Sequence, residues 1–244
     1  MFKPIYSVLL ALTVLSGCAT VPEEKKDERD PLQSFNRPIY DFNMDVLDAY
    51  ILRPAAVGYL AVTPAPVRAG IVNFTTNIAA PIDAVNAGLQ GKPGDMGVNV
   101  ARFLINSTVG VLGIFDVASN FGLKHQDEDF GQTLGVWGLG DGAYVMLPAM
   151  GPSTVRNVAG DLVDNLVLPE IALSTPQTLV LFALRAVEAR ASLMAQESLL
   201  RESLDPYVFM KDIYFQRQLY ELYDGNPPME EEETDFDEDF LENL

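Results

Sequence analysis

The chain has 244 residues, with 16 Lys and Arg against 34 Asp and Glu, a formal charge of −18, and yet a 48% hydrophobic content. Disorder throughout needs low hydrophobicity as well as high charge, so this composition excludes it. The acidity argues against nucleic-acid binding, which needs a basic surface; one Cys and one His exclude a disulfide framework and a multi-Cys/His metal site.

The charge is unevenly placed. Glu230–Leu244 carries nine acidic residues and no basic one. Ile51–Pro169 carries 15 charged residues in 119, about 13%, where ordinary proteins carry about 25%. A charge-poor middle has two readings, a large soluble core or contact with lipid. A spanning helix takes about 20 apolar residues. Beyond the N-terminus, charge-free runs such as Pro54–Val67, Ala69–Ile82 and Gly142–Val155 reach only 14. The ten-residue alternation of a membrane barrel is absent too.

The N-terminus reads as an export signal. Lys3 is a basic start, Ile5–Leu15 a short apolar stretch, and Leu15-Ser16-Gly17-Cys18 follows at once. The last four residues resemble the lipobox of bacterial lipoproteins. That assigns residues 1–17 to a removed signal and Cys18 to lipid attachment, its thiol alkylated by diacylglycerol and its freed amine acylated. Ala19, rather than Asp, follows the Cys. By the same resemblance this implies export to the outer membrane of a Gram-negative bacterium, lipid-anchored on the periplasmic side. Residues 18–30 then form a polar tether, 31–225 a folded domain, and 226–244 an acidic disordered tail.

The folded part is predicted to be mainly α, a single domain of many short helices. Phe35, Ile39, Phe42, Val46 and Tyr50 recur at helical spacing. Pro54 and Thr63-Pro64-Ala65-Pro66 are expected to break that helix. Val67–Ala79 reads as a second helix ended by Pro81, with a short one over Ile82–Leu89. Asp95–Thr108 has Met96, Val100, Phe103 and Leu104 on one side. Tyr144–Leu147 reads as a short strand, and Ser153 as the N-cap of a helix to about Asp164. Gln177–Leu204 is the longest helical signal. Asp205-Pro206 opens a last helix to Tyr223. Short helices, several apolar over more than one stripe, fit either helices lying in a membrane without spanning it or buried helices of a soluble core.

Catalytic sets are missing. His125, the one histidine, reads as an exposed loop residue, and Asp127, Glu128 and Asp129 as solvated carboxylates without the spacing of a calcium loop. A nucleophile elbow is lacking. Gly138-Leu-Gly140-Asp-Gly142 lacks the Lys and spacing of a phosphate loop. No cofactor, no metal and no enzyme activity is therefore expected. Gly138, Gly140 and Gly142 support two readings, a hinge under a mobile apolar loop or a tight turn packed on its neighbours.

One further pattern concerns the whole folded part. Asp30-Pro-Leu-Gln-Ser-Phe-Asn-Arg37, Tyr40-Asp-Phe-Asn43, Arg53-Pro54, Arg102-Phe-Leu-Ile-Asn-Ser-Thr-Val-Gly110, Phe115-Asp-Val-Ala118 and the block from Phe130-Gly-Gln-Thr-Leu-Gly135 to Gly151-Pro-Ser-Thr-Val-Arg156 stand in order along the chain. Together they resemble the MlaA (VacJ) family of phospholipid-transporting outer-membrane lipoproteins. Asn157 stands where that family would have Asp. The resemblance implies a ring-like helical protein in the periplasmic half of the outer membrane, with an amphipathic channel. It implies maintenance of lipid asymmetry, with misplaced phospholipids taken from the outer leaflet and passed to a periplasmic lipid carrier (MlaC-like). A trimeric outer-membrane porin is the implied partner, and ATP is spent elsewhere. The alternatives are a structural or adhesive envelope lipoprotein, and a lipid hydrolase working through His125.

Overall fold

The computed structural model describes residues 27–167 and 175–228. Cys18, with the export signal and most of the tether, lies outside the described residues, as does the tail from residue 229.

The first long rod is three segments fused. α1 (Gln33–Asp41) runs into a π-helical stretch, Phe42–Leu52, and on into α2 (Arg53–Val62). The break expected at Pro54 does not occur: Leu52 and Arg53 keep helical backbone angles, and the rod runs on through Pro54. Thr63 does end the rod. It is extended, as the residue before a proline tends to be.

α3 (Ala65–Leu89) is one helix of 25 residues. Pro81 was expected to end it and instead sits inside it. A proline costs a helix one bond and about 3 kcal/mol, and here buried residues on both sides of it, Asn77 and Ala80 before, Asp83 and Ala84 after, hold the two halves in line. A tight turn with Gly91 at φ 76° leads to α4 (Pro93–Thr108), which packs closely on α3. After a single 3₁₀ turn over Ala118–Phe121 comes the short α5 (Phe130–Val136), capped by Asp129.

β1 (Tyr144–Leu147) forms as the sequence suggests, and its partner is β2 (Gly151–Thr154), with Tyr144 opposite Thr154. Ser153 therefore lies in a strand and does not cap the next helix. α6 (Val155–Val167) starts one residue later than Thr154, whose hydroxyl accepts from the Asn157 N–H at 3.3 Å. The long helix expected over Gln177–Leu204 is divided into α7 (Thr175–Leu193), a 3₁₀ turn at Met194–Gln196, and α8 (Glu197–Arg201). α9 (Pro206–Leu222) begins as expected: the Asp205 carboxylate accepts from the N–H groups of Tyr207 and Val208.

Among the described residues, an apolar core of ordinary kind forms where α1, β1 and α9 meet. Tyr144 stands at its centre, edge-on to Tyr207 at 6.2 Å and Tyr214 at 5.9 Å, with Tyr40 and Met146 beside them. Among the described residues, no helix is long and apolar enough to cross a membrane.

Candidate functional site

Elsewhere the usual distribution of residues is reversed. Among the described residues, 37 large hydrophobic side chains are exposed, while the buried set holds 17 polar or charged residues and 11 apolar ones, six of them alanine. Scattered exposed hydrophobics are normal on a soluble protein, but buried polar groups are not. α4 shows how this arises. Of the apolar stripe read from the sequence, Met96, Val100 and Leu104 are exposed, Leu104 at 56%, and Phe103 is half-buried. Asn99, Arg102 and Asn106, also at helical spacing, are the buried residues. α1 and the π-helical stretch behave alike: Phe35, Phe42, Val46 and Tyr50 are exposed, whereas Asn36, Tyr40 and Asp48 are buried.

The buried face of α3 matches that of α4 with Thr75, Asn77, Asp83 and Asn86. Between them lies a cavity of about 210 Å³, lined by Asn73, Thr76, Asn77, Ala80, Arg102, Asn106, Asp116 and His125. Every charged group in it is placed by a neighbour. Arg102 donates to Asp116 at 3.1 Å and Ser119 at 3.0 Å, and also to the Leu123 carbonyl. Asn106 donates to Asp116 at 3.0 Å and accepts from the Ala118 N–H at 2.9 Å, which fixes the chain after α4. The network continues along α3. Asn86 donates to Asp164 at 3.0 Å and accepts from Thr133, and Asp164 receives the Phe130 N–H at 2.9 Å.

His125 does not lie exposed in a loop. Its Nε2 is 2.8 Å from the Asp83 carboxylate, which is buried. Burial pushes the Asp83 pKa up, and the contact with His125 opposes it. The neighbouring carboxylates also depart from the solvated reading. Glu128 is buried and paired with Lys92 at 3.0 Å; burial raises its pKa while Lys92 opposes. Asp129 caps α5 by accepting from the Gln132 N–H at 2.7 Å. Burial, with Asp161, Asp164 and Glu221 nearby, raises its pKa to about 6 despite that bond. Among the described residues, no group of three or more His, Cys, Asp or Glu side chains is placed to hold a metal ion.

The glycine segment arches between α5 and β1. Gly138 has φ 91° and Gly142 φ 69°, both in the left-handed region that favours glycine. Gly140 is outside that region, and a Cβ added at Gly138 or Gly140 would meet nothing within 4 Å. The arch is therefore not packed on neighbours at those two positions; at Gly142 an added Cβ would come 3.2 Å from Val155. Its base is held by Arg156, which pairs with Asp141 at 2.7 Å and donates to the Leu139 carbonyl at 3.2 Å. The turn of the β-hairpin is fastened to the first rod. Asn43 donates to the Leu147 carbonyl and accepts from the Ala149 N–H, each at 2.9 Å.

Of the lining residues, only His125 was considered from the sequence as a site residue, and it read as an exposed loop histidine. Asn99, Arg102 and Asn106 are spaced to share a helix face, but that stripe was legible only by reading α4 with its apolar side outward.

Residues 28–221 match the family model described as MlaA lipoprotein. The chain belongs to the MlaA lipoprotein family. It is similar to the intermembrane phospholipid transport system lipoprotein MlaA of Shigella flexneri, at 41% identity over 214 residues, 86% of this chain and 85% of that one. The MlaA protein of the same description from Escherichia coli (strain K12) is 40% identical over the same span. That of Haemophilus influenzae is 33% identical over 229 residues, 91% of this chain and 92% of its own length. A chain solved under the description "Structural basis for maintenance of bacterial outer membrane lipid asymmetry" shares the fold at a TM-score of 0.73 and 41% identity. It covers 79% of this chain and 98% of its own. Asn157 ties α6 to α9 through Tyr214 at 2.9 Å and Gln218 at 2.5 Å.

Proposed function

We propose that this protein keeps the outer membrane asymmetric by taking misplaced phospholipids from the outer leaflet and passing them to a periplasmic carrier. Its relatives carry the name of an intermembrane phospholipid transport system, and its similar solved chain is described in terms of outer-membrane lipid asymmetry. The observation that carries the reading is the reversed burial, with an apolar outside around a polar inside. A body surrounded by hydrocarbon gains nothing from an apolar core, since lipid tails are as apolar as Leu. It must instead satisfy its polar groups internally.

The same arrangement suits a phospholipid in transit. Each CH₂ taken from hydrocarbon into water costs about 0.8 kcal/mol, so two acyl chains cannot be carried through water unaided. Tails that follow the apolar exterior avoid that cost, while the headgroup follows the polar inner face through an amphipathic channel. In this reading residues 1–17 are removed, Cys18 carries the lipid, 18–30 is a tether and 226–244 an acidic tail. A trimeric porin stands beside the body in the outer membrane, and an MlaC-like carrier receives the lipid. The Gly138–Gly142 arch is the mobile part. No residue is given a catalytic role.

The test is a deletion strain assayed for phospholipid in the outer leaflet. Accumulation, reversed by the wild-type chain and not by Cys18→Ala, is the expected result. Normal asymmetry in the deletion strain would instead favour a structural or adhesive envelope lipoprotein.

A further inference from the structure

The walls of the α3–α4 cavity have a specific chemical bias. Three N–H groups of Arg102 donate, to Asp116, Ser119 and the Leu123 carbonyl. Asp116 is fully committed: one oxygen accepts from Asn106 and the Ser119 N–H, the other from Arg102 and the Ser119 hydroxyl. One buried acceptor is left without a partner. Asn77 is 6% exposed; its amide nitrogen donates to the Ser107 hydroxyl at 2.9 Å, and its buried amide oxygen accepts from no protein group. Asn73 donates to the Ile114 carbonyl at 3.2 Å. Arg102 and Asp116 cancel in charge.

We propose that this cavity is a recognition site for a primary ammonium group, supplied by the headgroup of an aminophospholipid. This rests on the lipid-transport reading above and adds a headgroup preference to it. A primary ammonium brings three N–H donors and a positive charge, and so satisfies a buried acceptor that is otherwise costly to leave unpaired. A quaternary ammonium brings no donor. It is usually held by aromatic faces, and no Phe, Tyr or Trp lines this cavity. A headgroup whose only charge is its phosphate brings no cationic donor to the Asn77 oxygen.

The rim shows where the tails go. Val109–Phe115 carries no charge, and Val111, Leu112 and Phe115 are exposed, Leu112 at 66%. The N–H groups of Gly113, Ile114 and Phe115 bond to carbonyls at residues 106 to 111, which lowers the cost of placing this lip against hydrocarbon. Gly113, at φ 90°, lies so close to Asn77 that an added Cβ would come 2.4 Å from the Asn77 Cβ. The apolar lip and the free acceptor are thus neighbours. A lipid with its tails on the lip has its headgroup at the cavity.

The experiment is native mass spectrometry of the full lipidated chain, purified in detergent. It is mixed with equal amounts of phosphatidylethanolamine, phosphatidylcholine and phosphatidylglycerol of matched acyl chains. Phosphatidylethanolamine adducts should exceed phosphatidylcholine adducts about tenfold, the scale of one hydrogen bond to a charged group. Asn77→Leu should bring the ratio close to one. Should that variant fail to fold, Thr76→Val, at a partly exposed position of the same wall, should lower the ratio about threefold. Equal adducts in the wild type would overturn this proposal and leave lipid transport standing. A preference kept by every folded variant would also overturn it, by placing the preference elsewhere. If soluble phosphoethanolamine binds as tightly as the lipid, the lipid source is wrong. Absence of adducts from all three lipids would count against the transport reading itself.

Discussion

Lys211 offers the sharpest test of how the polar interior is held. Its side chain is 2% exposed and reaches Asp27 at 2.8 Å and Asp30 at 3.4 Å. The Asp30 carboxylate is fully buried and also accepts from the Tyr207 hydroxyl at 2.5 Å and the Asn36 amide at 2.8 Å. Removing one partner of a buried ion pair costs about 3–5 kcal/mol, because the other charge stays buried. In Lys211→Met, Asp30 keeps two neutral donors, which places the loss near 3 kcal/mol. Asp30→Asn leaves Lys211 with the more exposed Asp27, for a loss of about 2 kcal/mol. The double variant buries no charge at this point and should lose only about 2 kcal/mol, so the pair should couple by about 3 kcal/mol. For a body of this size Lys211→Met alone should lower Tm by about 6–12 °C. The assay is thermal unfolding of the purified chain and its three variants in one detergent. Losses that simply add would refute the reasoning. Acid gives an independent check. Burial works against ionisation of Asp27, but hydrogen bonds from Lys211 and Arg29 hold its pKa at about 2, below its ordinary 3.8. A lowered pKa stabilises the fold above pH 3.8, and that contribution should disappear as the pH falls through about 2.

Asp129 should behave in the opposite sense. Its raised pKa of about 6 means that the protonated form suits the fold, so its contribution is full below about pH 4 and lost as pH rises through 6. Asp129→Asn keeps an N-cap and should raise stability at pH 7 by about 2 kcal/mol while flattening the profile from pH 4 to 7, read by unfolding at each pH. In the glycine arch, Gly138→Ala should cost about 1–2 kcal/mol from its positive φ alone. Gly140→Ala should be nearly neutral in stability, so slowed lipid transport in that variant would isolate a need for mobility. Reversed burial can be checked on α4. Asn106→Leu should cost about 3 kcal/mol, since it strips Asp116 of a donor and leaves the Ala118 N–H buried without an acceptor. Leu104→Ser should leave unfolding in detergent within about 1 kcal/mol of wild type but reduce partitioning into vesicles. A large loss of stability for Leu104→Ser would show that this face is covered by protein.

How much of this was legible beforehand can be followed element by element. The α4 period was plain from Met96, Val100 and Leu104, as was the cap at Asp205, since both depend on neighbours in sequence. What the period does not carry is a direction. An apolar stripe names one side of a helix, and only the surroundings say whether protein or something else covers it. Pro81 illustrates the second limit. Its local effect is to end a helix, and the contacts that overrule it come from α4, across the turn at Gly91. His125 illustrates a third. Beside Lys124 and Asp127 it reads as a loop residue, because its partner Asp83 is 42 residues away in sequence.

These limits share one cause, and it bears on how the body works. In a soluble helix, the residues that decide packing are the apolar ones, so the stripe that is easy to see is also the stripe that matters. Here the packing contacts between helices are polar. Arg68 meets Glu188 at 3.0 Å between α3 and α7, Arg190 meets Asp48 at 2.9 Å between α7 and the first rod, and Asn86 meets Asp164 between α3 and α6. Polar contacts are directional, and a half-satisfied one costs more than an imperfect apolar contact. A body assembled through them is specific in its internal geometry while its exterior carries many large apolar side chains. For a protein that passes lipids, that division has a use: the exterior can slide against tails of any length, while discrimination is left to the few acceptors, Asn77 foremost, that face the cavity.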